Sequence, residues 1–273
     1  MGKSSIRTKV LLCALVIAEL LFTGCGSVPL TGRRQVLLVS DKEAFEAGLT
    51  QYNEYIAEAQ LSSDAKATAM VKSVGKRLSE ATERYLKANG FESELANLQW
   101  EFNLVKNNEV NAFCMPGGKI VVYEGLLSVA QTEAELAAVV GHEIGHAVAK
   151  HSNERMSQQI MTQYGMAILS QALSQKSAAV QTVATSVFGL GAQVGLMLPY
   201  SRKHEYEADY MGIVFMEIAG YDSNSALEFW TKMAAGGGNT NDFLSTHPSD
   251  NKRIAQISKR IPEAQAIGKS MNQ

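Results

Sequence analysis

The sequence predicts a predominantly helical α+β domain in which a small sheet packs beside one central helix. LQWEFNLV, from Leu98, alternates like a half-buried strand, and GKIVVYEG, from Gly118, is typical of a second strand. From Thr132 onward the pattern is almost entirely helical, and TEAELAAVVGHEIGHAVAKH opens on a capping box formed by Thr132 and Glu135. A chain of 273 residues is long enough for one sizeable domain.

The N-terminus is predicted to lie outside this domain. MGKSSIRTK is basic, VLLCALVIA is a short apolar core, and LFTGC resembles a bacterial lipobox, so residues 1–24 are predicted to be a lipoprotein signal peptide. Cys25 would then carry the lipid, and residues 25–40 would form a tether and N-terminal arm before a single domain at 41–273. The alternative is an uncleaved anchor. Because Gly26 follows the cysteine, we expect a periplasm-facing location on the bacterial outer membrane.

The other elements follow from apolar periodicity and turn-forming residues. An extended arm is predicted at 35–39, followed by a helix that has Asp41 as its N-cap. Further helices are expected near 63–87, 202–219, 225–235 and 249–259. The stretch 177–201 has no charged residue and is long enough to span a membrane. Its polar residues and glycines favour a buried helix or a helical hairpin that covers the functional site.

Charge and cysteine content narrow the function further. The net charge is −2 and the pI is near 6.2, so the sequence gives no electrostatic reason to expect a nucleic-acid partner. Cys13 would leave with the signal peptide and Cys25 would be acylated, which leaves Cys114 alone. The domain is therefore expected to be stable without an internal disulfide.

The motif HEIGH, from His142 to His146, predicts a zinc site. Residues four apart on a helix lie about 40° apart around its axis, so the two imidazoles can bind one ion. Glu143 lies on the neighbouring face, where it can act as a base toward water. His151 stands five residues after His146, or roughly 140° further round the helix. We therefore expect it to point away and to lie at the helix C-terminus, where the helix dipole favours it.

A catalytic zinc site needs a third protein ligand. The stretch SRKHEYEADYMG offers Glu205 and Asp209, which lie four apart on one helical face. Glu205 is favoured as the ligand, and Asp209 is favoured as the acceptor for the outer nitrogen of a ligating histidine. Glu207, His204 and a purely solvent-exposed role for these carboxylates remain as alternatives.

These residues resemble the motifs of peptidase family M48, the gluzincin zinc metallopeptidases that include the CAAX prenyl proteases and the HtpX-type proteases. HEIGH and the ExxxD of Glu205–Asp209 carry the resemblance. PLTGRRQVLLVS, NAFCMPGGKIVVYEGLL, SRKHEYEAD and THPSDNKRI are similar to blocks of its bacterial periplasmic lipoprotein branch, in the form without tetratricopeptide repeats. The resemblance implies a zincin-like fold, one zinc ion per subunit and Glu205 as the third ligand.

The resemblance also implies roles for residues outside the two motifs. His247 and Arg253 would border the active site, where His247 can stabilise the oxyanion of a tetrahedral intermediate and Arg253 can support it. Substrate would lie along an edge strand made of seven residues: Asn111, Ala112, Phe113, Cys114, Met115, Pro116 and Gly117. Cys114 is interpreted as a small side chain packed inward, with a redox switch as the alternative.

The predicted function is that of a zinc endopeptidase. Glu143 would take a proton from the attacking water and deliver it to the leaving nitrogen. Because an edge strand binds extended backbone of many sequences, the expected substrates are peptides and unfolded or misassembled cell-envelope proteins. The alternative is a chaperone-like factor that works with envelope assembly machinery and in which proteolysis is secondary. A purely structural zinc site is disfavoured, since the chain offers no set of four cysteine-rich ligands.

Overall fold

The computed structural model describes residues 25–172, 178, 180, 182–183, 201–236, 243, 247 and 251–273, although the side chains of 163–172 are not among the described groups. Over these residues the chain is mainly helical with a small sheet, which confirms the predicted α+β class. The predicted signal peptide at 1–24 and most of the uncharged stretch at 177–201 lie outside them.

The helices and strands follow one another in a simple order. The strands are β1 (Cys25–Ser27), β2 (Arg34–Val36), β3 (Glu101–Val105), β4 (Ala112–Met115) and β5 (Lys119–Tyr123). The α-helices of the described residues are α1 (Asp41–Glu58), α2 (Ala65–Ala88), α3 (Glu133–Val148), α4 (His151–Ala172), α5 (Arg202–Ile218), α6 (Asn224–Ala235) and α7 (Asn251–Met271). Short 3-10 helices lie at Glu92–Asn97 and Glu124–Ser128.

The strands form two separate sheets. β1 and β2 pair antiparallel as a ribbon in the N-terminal arm. The other three strands form a sheet in the order β3-β5-β4, parallel between β3 and β5 and antiparallel between β5 and β4. β4 is therefore an edge strand, and it contacts α3, the helix that carries HEIGH.

Capping residues define where two of the helices begin. The capping box of Thr132 and Glu135 opens α3 as predicted. The prediction of Asp41 as the N-cap of α1 is wrong by one residue, because Ser40 occupies that position. The Ser40 hydroxyl accepts from the Glu43 amide, and the Glu43 carboxylate accepts from the Ser40 amide at 2.9 Å. This reciprocal bonding satisfies two backbone donors that the first turn leaves free.

Helix α3 packs against α5 with almost no side chain between the two backbones. A Cβ atom added at Gly145 would lie 2.7 Å from the carbonyl oxygen of Ala208. One added at Gly212 would lie 2.9 Å from the amide nitrogen of His142. Because glycine permits this approach, the first turn of α5, which carries Glu205, is brought directly to the HEIGH face.

The chain turns sharply between α3 and α4. Lys150 adopts a φ of 55°, in the left-handed region, so α3 ends at Val148 and a new helix begins at His151. The Lys150 ammonium pairs with the carboxylates of Asp41 and Glu94 at 2.6 and 2.5 Å, which holds the turn against α1 and the 3-10 helix Glu92–Asn97. The predicted continuation of the motif helix to His151 is therefore wrong.

Candidate metal centre and active site

Four buried side chains converge at the contact of α3 with α5. The ligand atoms of His142, His146, Glu205 and His247 lie within 4.8 Å of one another. The Nε2 atoms of His142 and His146 are 3.0 Å apart, and the Glu205 carboxylate oxygens lie 3.4 and 3.3 Å from them. The structure thus brings together the three predicted ligands and adds His247 to the group.

Hydrogen bonding shows that this donor set fits a cation. His142 Nδ1 lies 2.8 Å from Asp209 Oδ1. Burial alone would raise the pKa of Asp209, but the charges of Arg253 and His142 lower it, so the carboxylate is ionised and can only accept. Burial and Arg253 would lower the pKa of His142, but Asp209 and Glu205 raise it to about 9. A histidine that binds a metal is neutral, so in the metal-bound form its proton would be on Nδ1 and its Nε2 would present a lone pair toward His146 and Glu205. Two imidazoles and a carboxylate whose ligand atoms face one another in a buried site match a His₂Glu zinc site.

Glu143 lies beside this group as a buried carboxylate. Neither of its oxygens has a hydrogen-bond partner among the described residues, and His247 Nε2 lies 3.5 Å from Oε1. Burial raises the pKa of Glu143 above its ordinary value of 4.5. A carboxylate with free acceptor atoms and a raised pKa is suited to receive and release a proton.

Arg253 binds the carboxylates behind the site. Its Nε and Nη2 donate to the two oxygens of Asp209 at 2.6 and 2.8 Å, and its Nη1 lies 3.1 Å from Glu205 Oε2. The guanidinium is fully buried and lies over the Trp230 ring, 3.8 Å from its centroid. Its positive charge, with that of His247, outweighs burial and keeps the pKa of Glu205 well below the ordinary range. A direct contact between Arg253 and substrate stays a prediction.

His247 lies closer to the candidate ligands than its predicted oxyanion role requires. Its Nδ1 is 3.2 Å from His142 Nε2 and 3.3 Å from Glu205 Oε1. The ring stacks on Phe243 with 4.4 Å between centroids. Sequence reasoning missed this residue as a candidate fourth ligand, because an isolated histidine in a loop carries no spacing signal. Stabilisation of the oxyanion by His247 stays a prediction.

His151 is not the outward-pointing residue that the sequence predicted. It is fully buried, its Nδ1 lies 2.8 Å from His146 Nδ1, and its Nε2 lies 2.9 Å from Glu207 Oε2. The prediction failed because the turn at Lys150 ends α3 and returns His151 toward the motif helix. His204 stacks on His151 with 4.3 Å between centroids. His204 and Glu207, the alternative ligands, thus lie in the layer behind His146 and not in the group of four.

The predicted substrate strand is covered in this structure. Residues from Asn111 to Met115 are at most 4% exposed, whereas Pro116 and Gly117 are partly exposed. Phe113 and Met115 pack in one apolar cluster with buried residues that include Val180 and Val183. Cys114, Met115, Pro116 and Gly117 nevertheless line a cavity together with His146. Substrate binding along β4 stays a prediction.

Cys114 lies in the same strand and points inward. Its side chain is buried, and its thiol donates to the Met115 carbonyl oxygen at 3.2 Å. Burial raises the pKa of the thiol well above its ordinary value, so the unreactive protonated form is favoured. These contacts agree with the packed-inward interpretation.

Comparison with known proteins gives the family. The model of Peptidase family M48 matches residues 72–261. Mitochondrial metalloendopeptidase OMA1 of Schizosaccharomyces pombe is 34% identical over 259 residues, which cover 89% of this chain and 68% of that protein. Metalloprotease YcaL of Escherichia coli is 26% identical over 265 residues, covering 93% and 98%. A putative beta-barrel assembly-enhancing protease of Vibrio cholerae is 31% identical over 171 residues, covering 58% and 34%.

The predicted location, lipid-anchored on the periplasmic side of a bacterial outer membrane, is wrong by this comparison. Similar proteins from Schizosaccharomyces pombe, Arabidopsis thaliana and Homo sapiens are all named as mitochondrial OMA1 metalloendopeptidases. The prediction failed because basic residues followed by a short apolar run occur in several kinds of targeting segment, so the pattern does not identify a compartment. Within the part of the chain that the structure describes, no helix combines the length and apolar character needed to cross a membrane.

The chain spans only part of the length of several of these relatives. It spans between 36% and 68% of the length of the OMA1 proteins of Arabidopsis thaliana, Saccharomyces cerevisiae and Schizosaccharomyces pombe. The family match, the named metalloendopeptidases among the relatives and the buried group of donors that fits zinc together give one conclusion: the chain belongs to peptidase family M48, a family of zinc metallopeptidases.

Proposed function

We propose that His142, His146 and Glu205 hold the zinc ion and that Glu143 transfers the proton during peptide-bond hydrolysis. The observation that carries this proposal is the convergence of the three ligands beside a buried carboxylate that has no hydrogen-bond partner among the described residues. Because the chain spans only part of several relatives, its activity as a whole protein is also part of the proposal.

The contacts around the proposed zinc ligands support a separate role for each residue. Zinc, when bound, lowers the pKa of water and polarises the scissile carbonyl. Glu143 accepts the proton of the attacking water and passes it to the leaving nitrogen. Asp209 holds the His142 ring with Nε2 toward the ligand group, and Arg253 offsets the buried charges of Asp209 and Glu205.

We propose extended segments of unfolded or misassembled proteins as the substrates. An edge strand such as β4 can pair with any extended backbone, and this favours exposed chain over folded domains. For the narrower class of cell-envelope proteins, the support is the similarity to the putative beta-barrel assembly-enhancing protease of Vibrio cholerae. Contact with protein-assembly machinery stays a prediction.

A test of the catalytic assignment uses Glu143→Gln, which removes the base and keeps the size of the side chain. We expect bound zinc to match wild type and cleavage of an unfolded protein to disappear. Glu58→Gln, at an exposed position on α1, is the matched control and should change neither quantity. Wild-type cleavage by the Glu143 variant would contradict the assignment.

A second candidate function is that of a chaperone-like binding factor. The edge position of β4 supports it, because pairing through the main chain can hold an extended segment without cleaving it. Complementation of a deletion strain separates the two functions. Rescue by Glu143→Gln would support binding, and failure to rescue would support proteolysis.

A further inference from the structure

His151 connects a candidate zinc ligand to a carboxylate outside the ligand group. Its Nε2 lies 2.9 Å from Glu207 Oε2, and its Nδ1 lies 2.8 Å from His146 Nδ1. The two histidines are at most 1% exposed and Glu207 is 7% exposed, so water does not compete for these bonds. The three side chains form a continuous hydrogen-bonded row that ends at the proposed zinc ligand.

This row determines which nitrogen of His146 carries a proton. An ionised carboxylate only accepts, so His151 Nε2 must donate to Glu207, and the neutral ring then accepts at Nδ1. His146 Nδ1 is therefore the donor, and its Nε2 keeps the lone pair that faces His142 and Glu205. For His142, a direct bond to Asp209 has the same effect. Partners of this kind fix the tautomer and orientation of a ligating histidine.

Glu207 is itself held by the N-terminal arm. The Thr31 hydroxyl donates to Glu207 Oε1, and Arg33 Nε donates to Oε2 at 2.7 Å. Nη1 and Nη2 of the same guanidinium donate to Glu154 Oε1 and Oε2 at 3.0 and 2.8 Å. The β1–β2 ribbon presents these side chains from a tight turn in which Gly32 has a φ of 66°. Thr31 and Arg33, two of the three residues that donate to Glu207, thus belong to TGRR, a stretch that has no role in the proposed catalysis.

A second contact holds the plane of the His151 ring. The His204 ring stacks on it with an interplanar angle of 19°, and His204 Nε2 lies 3.1 Å from Glu154 Oε2. Because Glu154 is also bound by Arg33, one arm residue orients His151 along two routes. The arm is therefore tied both to the edge of the ring, through Glu207, and to its face, through His204.

We infer that the N-terminal arm is a positioning element of the zinc site: Arg33, acting through Glu207 and His151, holds His146 with Nε2 directed at the metal. The inference rests on the proposed ligand role of His146. It gives Arg33, Glu207 and His151 a role in zinc binding although none of them is one of the four side chains of the ligand group.

The test measures zinc affinity by chelator competition on the full chain with Arg33→Ala. Arg34→Ala is the matched control, because it removes the same charge from an adjacent exposed residue. We expect Arg33→Ala and Glu207→Gln each to weaken zinc binding by about 10- to 100-fold, the usual effect of losing such a partner. We also expect a changed absorption spectrum of the Co²⁺-substituted chain. Arg34→Ala should match wild type in both measurements.

Substitutions at His151 test the hydrogen-bonded row separately from folding. Glutamine offers one acceptor and one donor, so His151→Gln should keep zinc affinity nearer to wild type than His151→Leu, which offers neither. The inference would be overturned if the Arg33, Glu207 and His151→Leu variants all bound zinc within about twofold of wild type, far inside the expected loss. It would also be overturned if they only lowered the unfolding temperature of the metal-free chain. Absence of zinc from the wild-type chain would instead refute the proposed function and this inference with it.

Discussion

Replacing Gly145 by alanine tests whether the backbone contact of α3 and α5 sets the geometry of the zinc site. The new Cβ would lie 2.7 Å from the carbonyl oxygen of Ala208 and 3.0 Å from its Cα. Atoms of this size normally stay about 3.5 Å apart, so the helices must separate by roughly 0.5 to 0.8 Å. Both obstructing atoms belong to the backbone, and no side-chain rotation can relieve the contact.

The magnitude follows from the position of Glu205 on the same helix. It stands one turn before Ala208, so a displacement of α5 carries its carboxylate away from the motif histidines. Zinc sites tolerate ligand distances within about 0.2 Å, which is less than the expected shift. Overpacking costs about 1–3 kcal/mol, and alanine in a helix recovers about 1 kcal/mol relative to glycine. The chain should therefore fold, with unfolding free energy lowered by about 0–2 kcal/mol.

The assay compares zinc affinity, measured by chelator competition, with the unfolding temperature of the metal-free chain. We expect Gly145→Ala to weaken zinc binding by at least about tenfold, as other changes that misplace ligands do. Gly26→Ala is the control, because a Cβ there meets no atom closer than 3.7 Å. Unchanged zinc affinity in the Gly145 variant would refute the claim that the helix contact sets the ligand geometry.

Three further predictions concern the ligand, the thiol and the network behind the site. Glu205→Ala should abolish stoichiometric zinc, measured by mass spectrometry, because the third proposed ligand is lost; full zinc content would refute that role. Cys114 should resist alkylation until the chain unfolds, since burial raises the pKa of its thiol, and labelling of the native chain would contradict this. Hydrogen bonds from His204 and Arg33 outweigh the effect of burial and lower the pKa of Glu154 from 4.5 to about 2. The stabilisation is therefore present above pH 4.5 and lost as pH falls toward 2, so Glu154→Gln should flatten unfolding free energy against pH in that range.

Features that depend on neighbours along the chain were predictable. The capping box and apolar period gave the start of α3, alternation gave β3, and the short apolar run in GKIVVYEG gave β5. The arrangement of the HEIGH residues also follows from helical geometry, because three of the site's side chains lie within one turn and a half of one helix. The N-cap of α1 was misplaced by one residue because Ser40 and Asp41 are both good caps.

Features that depend on a break in a helix or on burial were not predictable. The direction of His151 was wrong because extrapolating α3 assumes a continuous helix, and the left-handed Lys150 interrupts it. The covering of β4 depends on packing with distant residues such as Val180, which alternation within the strand does not report. His247 joins the ligand group from a segment with no regular spacing to the motif.

The sequence by itself determined two candidate ligands and a base, because a helix converts a spacing of four into a shared face. It also singled out Glu205 as the favoured third ligand. Only the tertiary structure decided how that carboxylate reaches the motif helix: the glycines of α3 and α5 let the two backbones touch. The hydrogen bonds behind His142 and His146 were likewise decided by packing. Three of them join residues of two different helices, and the bond from Arg33 joins the N-terminal arm to α5. Neighbouring residues determine the local backbone geometry, whereas a metal site made of distant segments forms only when those segments pack together.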